Sequence, residues 1–88
     1  MSKETTIINI RGVCLDIVSS ASIFGDAMKV QYRDSLSNPE KIAEIAGRCI
    51  CNCDNLIAEM RKQRRKLVRA RYELRKEQKK EGARCLKN

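Results

Sequence analysis

From Ile7 the chain places apolar side chains three and four residues apart: Ile7, Ile10, Cys14, Ile17, Ala21, Phe24 and Met28, ending on polar Gln31. That spacing keeps a stripe on one side of a helix and matches a coiled-coil-like seam. Val13, Leu15, Val18 and Ile23 widen the stripe, which predicts a helix covered on more than one side. Gly12 and Gly25 weaken it. Each costs about 1 kcal/mol relative to Ala in a helix interior, and Gly25-Asp26 is a place where a second, shorter helix can start. The early run TTIINI, residues 5–10, is also compatible with a strand.

The stretch RDSLSNPEK, residues 33–41, is the clear break. Ser37 followed by Glu40 has the spacing of a capping box, and Asn38 before Pro39 is a competing cap with proline in the first turn. A second seam then runs Ile42, Ile45, Cys49, Cys53, Leu56, Met60, Gln63, Leu67, Ala70 and Leu74, with one extra four-residue step between the two cysteines that reads as a stutter. Gly82 is the expected stop. The expected helices are about 27 and about 44 residues long, or about 40 and 66 Å. The first is therefore expected to run out of partner surface near Arg61 to Arg64. The pattern predicts an all-α fold, an antiparallel helical hairpin with a long, basic second helix, assembling as a dimer or on a partner. Residues 1–60 form the hairpin core, with Ile10, Ile17, Phe24, Ile45, Leu56 and Met60 at its centre. Residues 61–82 form a helical extension, and residues 83–88 a flexible tail.

Charge changes the picture at residue 61. Residues 61–80 hold eleven Lys or Arg against two Glu, whereas the first sixty residues carry a net −2. Six of the eleven are Arg, whose planar fork matches phosphate and guanine edges. Charges on a solvated helix face normally alternate in sign; these do not. The i,i+4 pairs Arg61/Arg65, Lys62/Lys66, Arg65/Arg69, Arg71/Arg75, Arg75/Lys79 and Lys76/Lys80 impose roughly 1–3 kcal/mol of repulsion that an anionic partner would relieve. The segment RKQRRKLVRARYELRKEQKK resembles, in composition, the arginine-rich helical motifs of viral and phage RNA-binding proteins.

The expected partner is therefore DNA or RNA, held by Arg61, Lys62, Arg64, Arg65, Lys66, Arg69, Arg71, Arg75 and Lys76. A second line, Leu67, Val68, Ala70, Tyr72 and Leu74, continues the apolar seam into the basic tract and points to a protein interface, with a second copy or with a larger nucleic-acid-processing complex that the chain inhibits or redirects. A membrane-surface role is the weaker expectation, because the tract has no Trp or Phe.

Cys49, Cys51 and Cys53 make a C-x-C-x-C pattern, but on a helix Cys51 points about 200° away from Cys49, so one ion cannot take all three. A turn near residue 35 would bring Cys14 within about a helical turn of Cys53, which leaves a three-thiolate cluster conceivable; the expected role of these cysteines is core packing, with no metal. Cys85 is expected to be an exposed thiol. With no His, no phosphate loop and no nucleophile motif, neither an enzyme, a cofactor nor a small-molecule substrate is expected. Arg11 and Asp16 interrupt the apolar stretch, which argues against a signal peptide or a transmembrane segment, and five cysteines suit a reducing, cytoplasmic compartment.

Overall fold

The computed structural model describes residues 2–87, and the side chains of residues 2–80. Among these the chain is two helices, α1 (Lys3–Ser37) and α2 (Ile42–Lys87), joined by a 3-10 turn, Pro39–Lys41. There is no strand among the described residues, and TTIINI lies inside α1. The reason is local. Ser2 is extended, its Oγ accepts from the Thr5 N–H at 3.2 Å, and its carbonyl accepts both the Thr6 N–H at 3.1 Å and the Thr6 hydroxyl at 3.0 Å. The side-chain bond satisfies one of the orphan donors of a helix start, and Glu4 complements the helix dipole.

α1 then runs for 35 residues without a break at Gly12 or Gly25, at both of which a Cβ would meet open space. It stops where proline requires it. Asn38 takes φ −133°, ψ 67°, outside the helical region, as a residue before proline favours, and its N–H donates to the Asp34 carbonyl at 2.8 Å. Neither expected cap forms: Ser37 belongs to α1, and the Asn38 side chain makes no capping bond. α2 spans 46 residues and is bounded at Lys87, beyond the stop expected at Gly82. The side chains of the expected tail, Cys85 included, lie outside those described.

The two helices lie side by side as a rod of 74 × 16 × 15 Å. Its radius of gyration is 20.6 Å, against about 12 Å for a compact chain of this length. Cross-helix neighbours descend along α1 as they ascend along α2. Asp34 sits 3.5 Å from Arg48; Ser20 and Ala27 share a cleft with Asn52 and Glu59; Thr6 and Val13 share one with Lys66 and Glu73. α1 thus flanks α2 far past Arg61–Arg64, where the sequence had it running out, because it is eight residues longer than the apolar pattern alone suggests.

The covered positions include Thr6, Ile10, Val13, Ile17, Ser20, Phe24, Ala27 and Gln31 on α1, and Ile45, Cys49, Asn52, Leu56, Glu59, Gln63, Ala70 and Glu73 on α2. Of the six expected core residues, Ile45 is buried, while Ile10, Ile17, Phe24, Leu56 and Met60 are half-buried. Val13 and Ile45 are the buried hydrophobic residues among those described, and Thr6 and Gln63 are buried beside them. Cys14 and Ala21 are exposed, with Val13 and Ser20 in the seam instead; Cys53 is exposed and Asn52 replaces it, so the 3,4 spacing continues from Ile45 to Gln63 without the stutter expected between the two cysteines. A seam between two helices is two heptad positions wide, whereas each apolar stripe is wider, and the remainder stays outside.

The rod consequently has two unlike sides. Both clefts and the Asp34–Arg48 pair lie on one. Residues seven apart return to the same line on a supercoiled helix. On the opposite side that periodicity places Ile7, Cys14, Ala21 and Met28 of α1 beside Ala46, Cys53, Met60, Leu67 and Leu74 of α2. The surface of α1 also carries Ile8, Leu15, Val18 and Ile23, each about two-thirds exposed. By length and composition α1 is able to cross a membrane: an 18-residue window has mean hydropathy 1.5, of which 6% is buried. Length and composition alone do not distinguish a membrane-crossing helix from the core helix of a soluble protein or a signal sequence.

Two substitutions test this packing. Gly12→Ala is expected to stabilise the chain by about 0.5–1 kcal/mol, read as a rise in thermal midpoint by circular dichroism. Gln63 is 2% exposed; its Nε2 donates to Glu59 Oε1 at 2.7 Å, and its Oε1 is buried without a partner. Gln63→Leu is expected to add about 1 kcal/mol in urea melts, since it removes that orphan acceptor.

Candidate nucleic-acid interface

The basic side chains are sorted by direction. Arg61, Lys62, Arg64, Arg65, Lys66, Arg69, Arg71, Arg75 and Lys76 are all exposed, as are Lys79 and Lys80. The carboxylates nearby face the other way: Glu59 and Glu73 line the clefts between the helices, and Glu77 continues that line, half-buried. α1 gives the acids a seam to occupy, and the 3.6-residue repeat then leaves most of the cations around the outside, with Lys66 and Arg69 at the cleft beside Glu73. Lys80 lies 3.8 Å from Glu77; none of the nine expected contact residues has an ion-pair partner among the described residues.

The structure brings Lys66 and Arg69 to a cleft with Asn9 and Asp16, while regular helix geometry spreads Arg61, Arg64, Arg65, Arg71 and Arg75 over the outer surface of α2. The positive surface is therefore not a free arm. It is one flank of a two-helix rod about 16 × 15 Å across, wider than the roughly 12 Å major groove of B-DNA. A single helix could lie in that groove; the rod can set only its outer surface against the phosphates. Lys79 and Lys80, left out of the expected set, extend the same surface, and the signal for them was the continuing i,i+4 pairing Arg75/Lys79 and Lys76/Lys80.

Compared with protein-family models, with curated proteins and with solved structures, the chain matches none.

The apolar line in the tract divides in two. Leu67, Ala70 and Leu74 are half-buried, and Ala70 shares a cleft with Thr6 and Val13, so α1 accounts for part of it. Val68 at 42% and Tyr72 at 63% exposure stand among the cations. Of the cysteines whose side chains are described, Cys49 is half-buried in the seam, while Cys14, Cys51 and Cys53 are exposed and do not take the expected core role. The turn at residues 39–41 rather than 35 shifts the register: Val13 shares a cleft with Lys66, which puts Cys14 about 18 Å along α2 from Cys53. No group of three potential metal ligands occurs among the described residues.

The six like-charge pairs make a prediction for the free protein. Raising NaCl from about 0.05 to 0.5 M shortens the Debye length from about 14 to about 4 Å and should raise the thermal midpoint, with a gain on the order of 1 kcal/mol. Calorimetry without nucleic acid checks it.

Proposed function

We propose that the chain is a non-enzymatic nucleic-acid-binding protein, an antiparallel helical hairpin that lays the outer surface of α2 along the phosphates of DNA or RNA without a cofactor. The observation that carries this reading is the sorting of charge across α2: Lys66 and Arg69 line a cleft, the other nine exposed cations of residues 61–80 stand on the outer surface, and Glu59, Glu73 and Glu77 lie toward the seam. A surface meant only for solubility mixes both signs and gains nothing from turning its acids inward. Over the roughly 30 Å of residues 61–80, duplex DNA presents about 18 phosphate charges, ample for every cation on the near side. The width of the rod favours phosphate contact over base reading, so affinity should depend strongly on salt and weakly on sequence.

The experiment is a salt titration of binding to a generic DNA duplex and to a structured RNA. Contact with about six phosphates gives a slope near −5 for log K against log salt on DNA. Exchanging Arg64, Arg65 and Arg69 for Gln should reduce that slope by about three while leaving helicity unchanged. Affinity retained in the triple variant, or no binding near 0.1 M salt, overturns the reading.

The exposure of Val68 and Tyr72 among the cations favours a second reading, docking on a larger nucleic-acid-processing protein. Because Leu67 and Leu74 are half-buried, replacing them would also disturb the rod; Val68→Ser with Tyr72→Ser is the cleaner test. If the docking reading holds, this pair abolishes function in the source cell while nucleic-acid affinity stays within about twofold.

A further inference from the structure

The side of the rod opposite the clefts carries half of the strongest apolar heptad in the chain, and among the described residues this line is at most half-covered. Cys14 and Ala21 on α1 and Ala46 and Cys53 on α2 are small, exposed and set at seven-residue steps, with half-buried Met60 and Leu67 continuing the line. Small side chains alternating with larger ones at this spacing let another pair of helices approach closely.

We propose that this face is covered by a second copy of the chain, packed end for end, giving a four-helix bundle. The area supports that occupant. The chain exposes 7079 Å², whereas a folded monomer of 10.1 kDa exposes about 5,300 Å². The excess of about 1,800 Å² per chain, or about 3,600 Å² for two, falls within the range buried by obligate homodimers. Charge sets the direction. Residues 61–80 carry a net +9, and residues 42–60 a net −2. Side-by-side packing with both turns at one end would bring two +9 segments together, while end-for-end packing sets each against the acidic half of its partner. The apolar face is centred near Ile17 and Met60, so a two-fold axis there overlaps the rods along most of their length.

The test is sedimentation equilibrium of the full chain under reducing conditions, from 1 to 100 μM. The expected mass is twice 10.1 kDa, with Cys14 and Cys53 protected from a thiol reagent while Cys51 reacts. Ala21→Glu with Cys53→Glu, both at positions exposed in the single rod, should give a helical monomer and weaken association at least a hundredfold. The dissociation constant of the wild-type dimer should rise between 0.05 and 0.5 M NaCl. A wild-type monomer at 100 μM overturns the proposal, as does a dimer that survives the double substitution, which would use another face. A dimer that tightens with salt has its basic segments side by side and overturns the end-for-end packing. Capture of the monomer by phosphatidylcholine vesicles would give the face to lipid instead. None of these outcomes depends on nucleic-acid binding.

Discussion

Two helices in contact share one seam, and one seam covers about two side chains in every seven. A chain built as a single pair therefore cannot hide more than a narrow line of itself, however apolar its helices are. Val13 and Ile45 are buried, Ile10, Ile17, Phe24 and Leu56 are half in solvent, and Thr6 and Gln63 take places a larger core would fill with hydrocarbon. Much of what holds the rod is local instead: the Ser2 cap, the proline-enforced turn and two long runs of helix hydrogen bonds. The limit of one seam leaves apolar surface on α1 and decides which way the charges on α2 point.

The same limit links seam and surface. Glu59, Glu73 and Glu77 are tolerated at the seam because it is shallow and partly wet; a deep core would exclude them. With the acids drawn to the seam, the exposed charges of residues 61–80 are left cationic. The polar seam and the positive exterior are thus one arrangement seen from two sides, and a better-packed helix pair would present a weaker positive surface.

Helices, break and charge segregation were legible in the sequence because each rests on local chemistry: the 3,4 spacing from Ile7 to Met28, Asn38-Pro39, and the unalternating cations after Met60. The cap at Ser2 was not legible, since a serine at the second position carries no periodic signal, and with it went the first four residues of α1; the other four lie at its C-terminal end, before Asn38. The seam was displaced by one heptad line, so that Cys14, Ala21 and Cys53 came out exposed. Hydrophobicity identifies a stripe but does not say which edge of it a partner helix will take. The cluster imagined for Cys14 and Cys53 failed on register, which hangs on whether the chain turns at residue 35 or 40. The position of the cations within the tract was readable; that their acidic neighbours turn inward required the second helix to be placed.

One property of the rod concerns its behaviour before any contact. Charge is segregated along its length as well as around it: the end holding residues 61–80 is strongly positive, and the end holding the turn is slightly negative, over 74 Å. Such a body has a large permanent electric moment along its axis, and the field of a polyanion would rotate it so that the basic end leads the approach. An end-for-end pair cancels that moment and leaves a symmetrical body with two equivalent positive regions. The single rod would then orient as it arrives, whereas the pair would arrive in any attitude and bridge.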